Sequence, residues 1–281
     1  MIAARIRAAG SLARLHPAGA VGAIVLLVIA FGAVFAPMLA IESPEKQQIA
    51  ISLQAPSVAH PFGTDDLGRD VWSRLLYGGQ VSLGVGFVST ILATVVGVVG
   101  GLISGYAGKW VDGAIMRATD VLLAFPTLIL AVAIVGVLGP DLVNATIAIA
   151  IATLPRFTRI IRAETIRLRA AEFVEAAVSV GVPGRRIMFR HILPNTAGLI
   201  VVQFALSVAA SILSEASLSF LGLGVRPPTP SWGSMLRAGY PFLALAPWIS
   251  IASGLAVSVT VLASTLVGDA IRDHLDPRLR H

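Results

Sequence analysis

Residues 175–195 read EAAVSVGVPGRRIMFRHILPN, a polar interruption in a chain that is apolar almost everywhere else. Glu175, Ala176 and Ala177 begin a small-residue helix, Gly181 turns it, Pro183 restarts a second helix and Pro194 stops it. Glycine accepts the turn backbone because it has no Cβ. Proline at a first helical position lacks only a donor that would be orphaned anyway, and the residue before a proline is pushed out of the helical region. The alanine-rich side of such a helix lets another surface approach closely, which suits insertion into a groove on a second protein. This is a compact knob between apolar stretches, and those stretches set the fold class.

Hydrophobic residues make up 56% of the 281, charged residues 13%, and the mean hydropathy is +0.85. A soluble domain carries roughly a quarter charged residues, so this is a chain for a bilayer. It has no cysteine, which excludes disulfides, thiolate metal sites and a cysteine nucleophile. A net charge of +6 invites a nucleic-acid reading. The basic residues follow membrane topology instead, so no nucleic-acid partner is expected. Arg5, Arg7 and Arg14 precede an uncharged run over 17–41 that is long for a signal peptide and lacks a clear small-x-small cleavage site beyond it. It reads as a retained first span. Few aromatics and no low-complexity tail point to one integral-membrane domain over 1–281.

A helix needs about twenty apolar residues to cross the hydrocarbon. On that basis the chain is expected to be all-α, with six spans near 18–39, 79–106, 119–138, 142–161, 196–221 and 249–267. The fourth has only fourteen uncharged residues, 142–155, and needs Arg156 and Arg159 to snorkel. Six spans with both termini cytoplasmic place sixteen of the twenty-one Lys and Arg residues inside. Gly97, Gly101 and Gly105 form a doubled G-x-x-x-G, a spacing that lets helices approach within the subunit or against a partner.

Chemistry by this chain itself is not in view. The nearest approach to a phosphate-binding loop is Gly108-Lys109-Trp110, with Ile103 where the first glycine belongs and tryptophan where the hydroxyl belongs. The histidines (His16, His60, His191, His274, His281) are scattered, and no metal-ligand spacing occurs. The segment 156–195 carries eight arginines against Glu164, Glu172 and Glu175, interrupted by Phe173, Val174, Ala177, Val178 and Val180. Arg156, Arg159 and Arg162 read as anchors to anionic lipid. Glu215 is the one acid well inside an expected span, costly there and so a functional candidate. Ser207, Ser211, Ser214 and Glu215 share one helix face, and Ser253, Thr260 and Ser264 cluster similarly. Two readings stand: these faces line a hydrated path, or Glu215 lies near the outer interface and bonds a neighbouring helix.

The order Glu-Ala-Ala, three residues, Gly, then hydrophobic-Leu-Pro at 192–194 resembles the cytoplasmic loop of ABC importer permeases. Gly63-Thr64-Asp65 followed by Gly68-Arg69-Asp70 is similar to the segment before the second span in the shorter permease of peptide and nickel importers. Residues 215–224 (EASLSFLGLG), Gly268-Asp269 and Leu275-Asp276-Pro277 resemble the same family. The resemblance implies a type I-like importer permease fold and a loop, 156–195, that docks on an ATPase. Glu175, Ala176, Ala177, Gly181, Pro183, Arg185 and Arg186 would lie at that contact. The implied partners are a homologous permease, two ATPase domains and an extracytoplasmic solute-binding protein. ATP and its magnesium would be held by the ATPases, leaving no cofactor in this chain. The substrate expected from the resemblance is a di- or oligopeptide, with nickel, glutathione or another small solute as alternatives. Residues 63–70 either cap the segment or meet the binding protein. A rival of another class, an ATP-independent transporter or channel, calls for internal inverted repeats, and the two halves show no convincing similarity.

Overall fold

The first helix, α1 (Pro17–Val34), has almost no polar side chain to direct it and exposes most of its apolar surface. The computed structural model describes residues 17–275, so Arg5, Arg7, Arg14 and residues 276–281 lie outside the described residues. A looped segment then leads to α2 (Val71–Ala107), whose N-cap Asp70 accepts a hydrogen bond from Ser73 N at 2.7 Å. After it come α3 (Lys109–Leu123), α4 (Thr127–Leu138), α5 (Leu142–Arg169) and the short α6 (Glu172–Ser179). The long α7 (Gly184–Phe220), α8 (Trp232–Gly239) and α9 (Pro247–Leu275) complete the chain.

The central packing is α2 against α5. Gly97, Gly101 and Gly105 all face α5. A Cβ on Gly97 would fall 2.6 Å from Phe157 Cβ, and one on Gly101 2.8 Å from both Ile161 Cβ and Thr158 O. The doubled G-x-x-x-G therefore works within the subunit, by removing side chains so that two backbones meet. Phe157, Ile161 and Leu102 are fully buried at this seam, and Val174, Ile187 and Ile192 join the same cluster. Helix α7 packs on α2 and α9, while α1 packs on α9.

Six spans is corrected. Among the described residues, four helices are long and apolar enough to cross a membrane: Pro17–Val34, Val71–Ala107, Gly184–Phe220 and Pro247–His274. A fifth counts only if α3 and α4, bent by 93°, are taken together. The expected span over 119–138 straddles Pro126, an extended residue (φ −54°, ψ 135°) that ends α3 and starts α4. Helix α4 has 12 residues, about 18 Å, against a hydrocarbon core of about 30 Å. The expected span over 142–161 fails for a different reason. Helix α5 is 28 residues long, but its arginines crowd in after fourteen uncharged positions. Two of them do not snorkel to lipid. Arg159 pairs with Asp120 at 2.6 Å, and Arg162 grips Asp112 through both oxygens at 2.5 and 2.6 Å.

Pro194 does not stop a helix either. It has no N–H, and its ring crowds the carbonyl four residues back. Helix α7 absorbs this by widening into a π-helical turn, Ile187–Ile192, and continues through Pro194.

Candidate functional site

Helix α6 and the start of α7 form the knob anticipated from residues 175–195. Val174 and Ala177 point inward onto the α2–α5 seam, and Ile187 follows them. Glu175, Ala176, Gly181, Pro183, Arg185 and Arg186 remain exposed, as do Phe173, Val178, Val180 and Phe189. Burial on one side thus holds the knob while its other side is open. Helix α6 ends in a Schellman motif: Val182 N donates to Ala177 O at 3.0 Å and Gly181 N to Val178 O at 2.9 Å. Gly181 has φ +76°, the left-handed region that the motif requires. Pro183 is the N-cap rather than the first helical residue, its carbonyl accepting from Arg186 N at 2.8 Å. Beside it Pro183, Arg185, Phe189, Arg190 and Pro194 border an open cleft of about 630 Å³.

The helices beneath the knob are joined by charge as well as by packing. Arg169 Nη1 donates to Tyr106 O at 3.0 Å, and its guanidinium lies 5.4 Å from the Tyr106 ring centroid. Arg167 engages Glu164 at 2.5 Å, the helical spacing seen in the sequence, and this carboxylate raises the Arg167 pKa. The Asp112 carboxylate raises that of Arg162.

Residues 60–74 make a second, buried polar knot between α1 and α2. Asp65 Oδ1 accepts from Leu67 N and Arg69 N at 3.0 and 2.9 Å, and its Oδ2 accepts from Arg69 Nε at 2.7 Å. Thr64 bridges Asp70 in antiparallel fashion, and Trp248 Nε1 of α9 donates to Thr64 O at 3.1 Å. Asp70 Oδ1 meets His60 Nδ1 at 2.9 Å. Gly63 and Gly68 take positive φ at the two bends. Thr64, Asp65, Arg69 and Asp70 are buried, so their polar atoms serve this knot.

Glu215 is fully buried on α7. Ser219 Oγ donates to its Oε1 at 2.7 Å, while Oε2 has no hydrogen-bond partner among the described residues. Ser82 of α2 and Ser231, the N-cap of α8, face the same carboxyl group. Ser207, Ser211, Ser253, Thr260 and Ser264 are also buried, and Ser214 is half-buried. Ser211 Oγ accepts from Thr90 Oγ1 at 3.0 Å. Ser253 and Thr260 bond back to carbonyls of their own helix, and Ser214 does the same on α7. Sequence reasoning missed Asp112, Ser104, Ser82, Ser231 and Trp248. Ser104 Oγ donates to Asp112 at 2.5 Å. Ser82, Ser231 and Trp248 meet partners far away in the chain, and Ser104 meets Asp112 across the break between α2 and α3, so no periodic pattern announces these pairs.

Four helices long and apolar enough to cross a bilayer, with an exposed polar knob between two of them, are the features of a multi-pass membrane protein among the described residues. The chain belongs to the family of inner membrane components of binding-protein-dependent transport systems, whose model matches residues 97–281. Residues 14–56 match the N-terminal membrane domain of oligopeptide transport permease C. The dipeptide transport system permease protein DppC of Alkalihalophilus pseudofirmus is 45% identical over 92% of this chain and 86% of its own length. The glutathione transport system permease protein GsiD of Pectobacterium atrosepticum is 41% identical over 95% and 89%. A putative peptide transport system permease protein of Brucella abortus is 40% identical over 94% and 89%. A chain of the MetNI methionine ABC transporter in an inward-facing conformation aligns with TM-score 0.59 at 16% identity, covering 72% of this chain and 96% of its own. That likeness is one of fold. The protein is thus an ABC-importer permease subunit.

Proposed function

We propose that this chain pairs with a homologous permease to form the pathway of an ATP-driven importer for di- or oligopeptides, fed by an extracytoplasmic binding protein. The observation that carries the substrate class is the 45% identity to a dipeptide permease along nearly the whole chain. The glutathione relative favours a second, related reading, since glutathione is itself a small peptide. With the bent pair α3–α4 not crossing, the four spans of the described residues return the two ends of the chain to one face. That face is cytoplasmic by the distribution of basic residues: only Lys46, Arg69, Arg226 and Arg237 between the spans, and Arg74 in the first turn of α2, fall outside.

On this reading the exposed side of residues 172–190 is the surface that meets the ATPase, with Glu175, Ala176, Gly181, Pro183, Arg185 and Arg186 at the contact and Ala177 beneath it. The polar face of α7 (Ser207, Ser211, Ser214, Glu215), opposed by Ser253, Thr260 and Ser264 of α9, belongs to the pathway. The buried knot at 63–70 braces the side that receives the binding protein. Glu175→Lys reverses charge on an exposed helix face without disturbing Val174 or Ala177. The variant should insert and pair with the partner permease yet retain much less ATPase on co-purification. Wild-type ATPase recovery would contradict docking through this face.

A further inference from the structure

Between α3, α5 and α7 lies an open pocket of about 410 Å³. Its walls are apolar, made by Leu123, Ile160 and Leu206, and its polar groups are Arg156, Gln203 and Ser207. Arg159 is also at the rim, but its guanidinium is taken by Asp120 at 2.6 Å. Arg156 has no hydrogen-bonded or ionic partner among the described residues. Gln203 Nε2 donates to Ser207 Oγ at 3.1 Å, which leaves the Gln203 carbonyl, its second N–H and the Ser207 hydroxyl proton for a guest.

We propose that this pocket receives the carboxyl-terminal unit of a transported peptide, with the free carboxylate on Arg156, the amide on Gln203 and Ser207, and the side chain against Leu123, Ile160 and Leu206. Each part of the guest has a counterpart of matching chemistry. A free guanidinium pairs a carboxylate through two parallel N–H donors. A side-chain amide can both donate to and accept from a peptide group. The volume lies within the range of about 300–1,000 Å³ usual for small-molecule sites. Depth argues the same way. Gln203 is thirteen residues beyond Arg190, the last cation of α7, or about 20 Å along the axis. Gln203 and Ser207 therefore lie well inside the α7 span, where polar side chains facing a cavity mark a substrate path.

This inference rests on the peptide reading above, and the experiment separates the two. The complete complex with its binding protein is reconstituted in phosphatidylcholine vesicles, and uptake of alanylphenylalanine is compared with that of its C-terminal amide. The wild-type ratio fixes whatever preference the binding protein imposes. Arg156→Gln should cut uptake of the free acid about tenfold while barely changing the amide, so that the ratio collapses. Arg156→Lys, which keeps the charge, should restore part of the free-acid rate. An unchanged ratio, or equal loss for both peptides, would overturn this assignment alone. So would a defect seen only when anionic phosphatidylglycerol is present, which would make Arg156 a lipid anchor. Wild-type vesicles importing neither peptide would overturn both readings together.

Discussion

Gly181 holds the knob's geometry through its backbone alone. Its φ of +76° serves the Schellman turn, and a Cβ there would meet nothing within 4 Å. Any loss on substitution is therefore strain and not collision. Gly181→Val should add about 1–3 kcal/mol of backbone strain and misplace α6, abolishing transport and uncoupling or weakening ATPase while the spans insert normally. Gly181→Asn should be milder, because asparagine tolerates the left-handed region. Transport and substrate-stimulated ATPase of both variants in the reconstituted complex check this ordering, and near wild-type transport by the valine variant would contradict it. The need for glycine was legible in the sequence because the Gly-Val-Pro order encodes a turn locally. The Arg162–Asp112 and Trp248–Thr64 contacts were not, since each joins residues whose proximity only the folded chain creates.

At the scale of the element, the α2–α5 seam shows what sequence spacing can and cannot give. The four-residue period of Gly97, Gly101 and Gly105 identified a close-packing face, but not which helix would fill it. Gly101→Val would force a side chain into Ile161 and the Thr158 carbonyl, each 2.8 Å from its Cβ. Overpacking of this kind costs about 1–3 kcal/mol, so the apparent Tm of the detergent-solubilised chain should fall by several degrees. Gly84→Val, on the same helix with nothing within 4 Å, should leave it nearly unchanged. Equal Tm values for the two would remove the case for the seam. The element reading went wrong where hydropathy was averaged across a backbone break. Pro126 splits one expected span, and of the two α5 arginines expected to snorkel, Arg159 is engaged with Asp120. The turn at Pro194 failed similarly, because a π-helical turn lets a proline stay inside a continuing helix.

For the molecule as a whole, the proposed orientation rests on four spans and on the clustering of basic residues. Reporter fusions after Gly108 and Ser179 should read cytoplasmic, and fusions after Pro44 and Arg226 extracytoplasmic; a reversal of either pair would undo it. On the proposed orientation the knob lies on the side where ATP is available, and energy enters through the partner ATPases. The most direct test of that account is uptake of a labelled dipeptide into proteoliposomes holding the full complex and its binding protein. The account predicts uptake that requires ATP and the binding protein together, is unaffected by dissipating ion gradients, and is lost in Gly181→Val. Uptake that persists without ATP and collapses with the ion gradient would contradict it, and would make this chain a gradient-driven carrier.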